Sequence, residues 1–243
     1  MRLLVTRPEA DSVAFKAHLI AQGHEVVIDP LLRVRFDVAD PIELDGVQAL
    51  IATSRNAVRA LVQSPAFTAG KAIRLYCVGP GTASTAAALG FTDVVRGAGT
   101  ARDLAALIAE HADINGGPLL HLAGDVVAPG MVEDLHRLGF HVAQPTVYRT
   151  EAAERLAAAT VASLRNGRID GVILLSPRTA DVYANLVQNQ RLTAAVQGLL
   201  HVCVSAATAE RLRLLALRSI AVAAAPNLQE VLALLAPSTA QSR

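Results

Sequence analysis

Short hydroxyls, glycines and arginines gather in this chain where apolar runs give way to helical patterns. The segments are Thr6 to Ala10 (TRPEA), Thr53 to Val58 (TSRNAV), Val78 to Ala83 (VGPGTA), Leu122 to Asp125 (LAGD), Leu175 to Ala180 (LSPRTA) and Val204 to Ala209 (VSAATA). A serine, threonine or glycine just ahead of a helix leaves a hydroxyl and backbone N–H groups facing outward, and the helix end favours negative charge there. Thr6, Ser54, Gly79, Thr82, Gly124, Asp125, Ser176 and Thr208 are therefore candidates to bind carboxylates or phosphates, with Arg7, Arg55 and Arg178 as adjacent charge partners. Ordinary helix capping uses the same residue types, and any one of these loops fits that reading too.

Other familiar chemistry is missing from the pattern. Gly79-Pro80-Gly81 begins like a dinucleotide fingerprint, but Ser84 stands where the third glycine belongs, and no acidic residue ends the next strand about 20 residues on. There is no G-x-x-x-x-G-K-[ST] phosphate loop and no G-x-S-x-G nucleophile elbow. The histidines show no metal-site spacing. Glu133 and His136 share a helix face but have no second such pair, so they read as a solvated surface and no metal is expected.

The loops belong to a repeated framework. Leu3, Leu4, Leu19, Gly23 and Val26 recur as Leu119, Leu120, Leu135, Gly139 and Val142, a constant shift of 116. Cys77, Val78, Thr82, Ala83 and Leu89 recur as Cys203, Val204, Thr208, Ala209 and Leu215 at 126, and Ile51 and Ser54 recur as Ile173 and Ser176 at 122. Such long periods mean a duplicated domain, not a solenoid. Cys77 and Cys203, at equivalent points of two sheets, read as buried strand thiols rather than disulfide partners.

Strand-like runs fall at about 2–6, 25–32, 48–53, 73–78, 93–96, 118–123, 141–148, 170–175, 200–204 and 219–224. Helical patterns follow most of them, at about 9–22, 55–63, 81–89, 101–111, 129–138, 152–165, 178–188, 206–215 and 227–235. The runs are rich in Val, Ile and Leu without strict alternation, which suits strands covered on both faces. This predicts an α/β protein with parallel sheets whose strand-to-helix loops line one edge, where open sheets of this kind bind ligands.

With 243 residues, 52% of them hydrophobic, the chain can build two cores of ordinary size. Net charge is +1, so no overall field points to nucleic acid or an anionic membrane. The amino terminus lacks the apolar stretch of a signal peptide, and no run approaches 18 apolar residues. A cytoplasmic protein with no membrane and no nucleic-acid partner is expected.

Taken in order, TRP near the start, TSRNAV, VGPGTA, VYRT (Val147 to Thr150), LLSPRTA, VSAATAERL and Pro226 before a last helix resemble the uroporphyrinogen-III synthase family over nearly the whole chain. VSAATA departs from the family at Ser205, where a glycine is usual. The resemblance implies two similar flavodoxin-like parallel-sheet domains, interleaved in sequence: 1–34 with 150–243, and 37–146. A two-stranded linker near Arg33 to Phe36 and Thr146 to Arg149 would join them as a hinge.

It also implies a cofactor-free reaction. Linear hydroxymethylbilane loses its terminal hydroxyl as water, ring D attacks the resulting azafulvene through its substituted carbon, and a spiro intermediate fragments and recloses with ring D inverted. The substrate closes without inversion on its own, so the enzyme's task is orientation. Arg7, Arg55, Arg149 and Arg178 would pair with the substrate's eight carboxylates. Tyr148 matches the family's tyrosine at the crossing, and a phenol, which keeps its proton at neutral pH, can assist departure of the hydroxyl. Hydroxymethylbilane synthase, which supplies the substrate, is the implied transient partner of an otherwise monomeric protein. A non-catalytic module that senses an anionic ligand in an interdomain cleft is the alternative; relatives with an added DNA-binding domain exist, but the tail PSTAQSR leaves no expected room for one.

Overall fold

The computed structural model describes residues 1–36 and 42–235. The predicted start of the middle domain at 37 and the tail PSTAQSR lie outside the described residues. The chain divides into two compact units, Met1–Arg33 with Glu151–Arg243, and Val34–Thr150.

In the first unit β1 (Arg2–Val5), α1 (Glu9–Ala21) and β2 (Glu25–Ile28) come from the start of the chain. The rest follows Ala152: α7 (Ala158–Arg165), β11 (Gly171–Leu174), α8 (Pro177–Asn189), α9 (Thr193–Val196), β12 (Leu200–Cys203), α10 (Ala206–Glu210), β13 (Ser219–Val222) and α11 (Leu228–Ala233). The sheet order is β13-β12-β11-β1-β2, all parallel, with Leu3 beside Gly171 and Val26. Leu3 and Val5 enter one core with Phe15, Leu19 and Val231, while Leu4 enters the other with Tyr183, Val187 and Leu212. Strand alternation thus feeds two apolar faces, which is why the run LLV carries no polar position.

The second unit holds β4 (Ala49–Ala52), α2 (Arg55–Val62), α3 (Phe67–Gly70), β5 (Arg74–Cys77), α4 (Pro80–Ala88), β6 (Val94–Arg96), α5 (Ala101–His111), β7 (Leu119–His121), β8 (Ala123–Gly124), α6 (Met131–Arg137) and β9 (Val142–Ala143). Its sheet, β6-β5-β4-β7-β9, repeats the first, with β4, β5 and β7 in the places of β11, β12 and β1. The three shifts in the sequence repeat are these three equivalences. Leu50 and Ala52 face one core and Ala49 and Ile51 the other. β3 (Leu32–Arg35) and β10 (Thr146–Ala152) span the points where the chain leaves one unit for the other, and they form a third sheet with β8 in the order β3-β10-β8.

The differences from the sequence reading have local causes. The predicted run 141–148 is two strands, interrupted at Gln144 and Pro145. The helix expected at 152–165 begins only at Ala158: β10 takes Ala152, and the N–H groups of Leu156 and Ala157 donate to the side chains of Gln190 and Asp29 in the irregular stretch between. The pattern at 206–215 is a short helix and a 3-10 turn that ends on Ala216 in the left-handed region, φ 48°. Gly117 carries a clear steric duty: at its φ of +104° a Cβ would lie 2.3 Å from the Gly46 carbonyl oxygen. Both partners are backbone and neither can yield cheaply. Gly117→Ala is therefore expected to destabilise the protein by about 2 kcal/mol or more, read as a lowered urea midpoint.

Candidate functional site

In the first unit the order of strands reverses between β1 and β11, so the loops after them flank the switch point. Thr6, at the end of β1, is buried and its hydroxyl donates to the Ile173 carbonyl at 2.8 Å, which ties the two strand ends together. Arg7 is mostly shielded and lies 3.6 Å from Asp11, one turn into α1. Ser12 donates to the carbonyls of Arg7 and Pro8, so this loop is braced from inside its helix.

The LSPRTA and VSAATA loops are built alike. Ser176 caps α8, its Oγ accepting from the Thr179 N–H at 3.1 Å and touching the Thr179 hydroxyl at 2.8 Å. Ser205 caps α10, accepting from the Thr208 N–H at 3.3 Å with the hydroxyls 3.0 Å apart. α8 and α10 follow neighbouring strands and pack together, so the structure brings Ser176, Arg178 and Thr208 to one edge. Arg178 there is partly buried and partnered.

In the second unit Ser54 caps α2 by accepting from the Asn56 N–H at 3.1 Å. α4 is different. Its N-cap is Gly79, extended and without a side-chain cap, so Thr82, 6% exposed, lacks the serine hydroxyl that its counterpart Thr208 touches. Arg55 lies across the first turn of α4, its Nε 3.2 Å from where a Gly81 Cβ would stand. The two loops meet beside a shallow groove of about 500 Å³ lined by Arg55, Arg59, Gly81, Ser84 and Thr85.

LAGD does not form an open helix-capping loop. Ala123 and Gly124 make β8, which runs parallel to β10 with Tyr148 opposite Gly124. The Asp125 N–H donates to the Tyr148 carbonyl at 3.1 Å, and its carboxylate accepts from the Thr150 N–H at 3.0 Å. Asp125 thereby uses one oxygen on the strand that carries Tyr148. Tyr148 itself is half-buried against the core of this unit, and Arg149 is exposed.

One polar cluster escaped the sequence reading. His121, at the end of β7 in the place that Val5 takes in the first unit, is fully buried. Its Nε2 lies 3.1 Å from Thr53 Oγ1 and its Nδ1 2.7 Å from the Gln144 amide, so it joins the turns after β4 and β9 at this unit's switch point. Burial lowers its pKa to about 4, leaving a neutral ring. The signal available was a histidine inside the apolar run LLHLA, which a packed core tolerates only with partners.

Cys77 and Cys203 end β5 and β12 as free, buried thiols, and burial pushes both up to about 12. Glu133 accepts from the Gly130 N–H at 2.8 Å at the start of α6. Among the described residues no group of three or more His, Cys, Asp or Glu could hold a metal, and no helix is long and apolar enough to cross a membrane.

A sequence model of the family described as uroporphyrinogen-III synthase HemD matches residues 13–233. Among solved structures, the chain is similar to uroporphyrinogen-III synthetase from Helicobacter pylori, with 18% identity, TM-score 0.66, and 97% of this chain and 98% of that one covered. It is also similar to a mutant uroporphyrinogen III synthase from the extremely thermophilic bacterium Thermus thermophilus, with 16% identity, TM-score 0.51 and 97% of both chains covered. A search of curated proteins finds no match. At these identities the structures speak for the fold alone, while the match over residues 13–233 shows the lineage: the chain belongs to the uroporphyrinogen-III synthase family.

Proposed function

We propose that this protein converts hydroxymethylbilane to uroporphyrinogen III with inversion of ring D and loss of water. The observation that carries this reading within the family is Tyr148, a phenol on a strand whose backbone Asp125 holds at the Tyr148 carbonyl and, two residues on, at the Thr150 N–H. In the proposed reaction Tyr148 donates its proton to the departing hydroxyl. The pyrrole nitrogen's electron pair expels that group as water, and the azafulvene forms. Ring D attacks, the spiro intermediate fragments and recloses, and the proton released as the last ring regains aromaticity returns to the phenolate. Arg7, Arg55, Arg178 and the helix starts at Ser54, Gly79, Ser176 and Ser205 serve the substrate's carboxylates. The protein acts as a cytoplasmic monomer that receives its substrate from hydroxymethylbilane synthase.

The direct test is isomer analysis after freshly made hydroxymethylbilane is given to the purified protein without added cofactor. Predominant type III product supports the reading. Type I alone, at the uncatalysed rate, would instead favour a ligand-sensing role.

The contrast between the equivalent threonines gives a second test. Thr82 stands at a glycine cap with no serine hydroxyl beside it and is proposed to take a substrate carboxylate, whereas the Thr208 hydroxyl already has Ser205. Thr82→Val is expected to raise KM roughly tenfold, in line with about 1.5 kcal/mol for a hydrogen bond to a charged group. Thr208→Val is expected to cost about 1 kcal/mol of stability with a smaller change in KM, measured by steady-state kinetics and urea unfolding.

A further inference from the structure

The geometry points to Gly124 as a positioning residue that seats the Tyr148 phenol for catalysis. This rests on the reading of Tyr148 given above. A Cβ built on Gly124 would stand 2.5 Å from Tyr148 Cζ, 2.7 Å from Cε2 and 2.8 Å from Oη. These distances are shorter than any carbon contact allows, so the ring lies directly on the Gly124 backbone, and only a residue without a side chain permits it. Gly124 has no positive φ to accommodate, so conformational freedom is not what a glycine supplies here. Its contribution is space for the hydroxyl end of the ring.

The backbone around the ring is held separately. The parallel pairing of β8 with β10 shifts register between Thr146 and Tyr148, so the ladder is interrupted just ahead of the tyrosine. Asp125 extends the hold past that point, its N–H giving the ladder bond to the Tyr148 carbonyl and its carboxylate adding a bond from the Thr150 N–H. Gly124 thus sets where the ring lies, and Asp125 sets the strand that bears it. The LAGD segment acts through Tyr148, and its adjacent glycine and aspartate have a shared task that direct substrate binding would not explain.

The test combines Gly124→Ala, Tyr148→Phe and the double variant with 19F NMR of protein labelled with 3-fluorotyrosine. The chain has only three tyrosines, Tyr76, Tyr148 and Tyr183, so three resonances are expected and Tyr148→Phe assigns one of them. Gly124→Ala should move that resonance and leave the signals of buried Tyr76 and Tyr183 in place. It should lower kcat at least tenfold, change KM less than threefold and raise the share of type I product. In the Tyr148→Phe background the same alanine should cost less than a further threefold in kcat, because the hydroxyl it displaces is already gone. An unmoved resonance, or losses that multiply in the double variant, overturns the proposal. If Gly124→Ala fails to fold, Asp125→Ala replaces it, with the same resonance expected to shift or broaden and the same non-additivity with Tyr148→Phe. Failure of the functional reading looks different: wild-type protein gives only type I product while the resonance still moves, and the seat then stands without a catalytic purpose, which overturns the proposal as stated.

Discussion

Tyr148→Phe is expected to lower kcat by about 10²-fold, the lower end of what a positioned general acid supplies, while KM changes little. The phenylalanine keeps the ring that lies on Gly124 and packs beside the core of the second unit, so the site should keep its shape. Losing a hydroxyl from a half-buried ring costs about 1 kcal/mol at most, and urea unfolding should show a small change or none. The product should shift as well as slow. Hydroxymethylbilane that waits longer closes without help, and that route gives the type I isomer. A variant that keeps its urea midpoint, loses kcat and yields more type I product would place the hydroxyl in the step that expels water. An unchanged kcat would remove Tyr148 from that step.

The parts of this protein that could be read from the sequence are those whose causes are local or repeated. The equivalence of β1 and β7 was visible because Leu3 and Leu4 reappear as Leu119 and Leu120. Both pairs sit in central strands covered on two faces, where only apolar residues of that size fit. Ser54 and Ser176 were legible for a similar reason, since a cap is decided within three residues of its helix. What the sequence hid depends on distant partners. Nothing near Thr6 announces that its hydroxyl goes to Ile173, and nothing near Gly124 says that Tyr148 will lie on it. LAGD reads as a turn because glycine and aspartate are turn residues, yet Ala123 and Gly124 pair with β10 as a short strand. The helices Phe67–Gly70 and Thr193–Val196 are single turns, too short for a helical period to show.

His121 is the most consequential of the residues that local reading misses, because together with His201 it gives each unit a buried group that titrates. His201 lies in β12, fully buried, with its Nδ1 3.1 Å from the Leu199 carbonyl and its Nε2 3.1 Å from the Tyr183 hydroxyl. A carbonyl only accepts, so Nδ1 carries the proton and Nε2 takes the Tyr183 O–H, a fully paired neutral ring. Burial pushes the Tyr183 phenol up as well, and no carboxylate partner of His201 or His121 is found among the described residues. Desolvation therefore holds both histidines at about 4 when folded, against about 6.5 in an unfolded chain. The sign follows directly: well above about pH 6.5 neither state takes up a second proton at these rings and stability is at its full value. Between about pH 6.5 and about pH 4 the unfolded chain takes up protons that the folded protein refuses, so stability falls as pH falls, by about 3 kcal/mol for each histidine at most. Urea midpoints measured between about pH 7 and about pH 4.5 should drop accordingly, and His121→Gln and His201→Gln should each flatten the drop for the unit that holds the residue. A pH dependence identical in all three proteins would mean that water reaches these rings in solution, and that the polar cluster at the end of β7 is less closed than its hydrogen bonds to Thr53 and Gln144 imply.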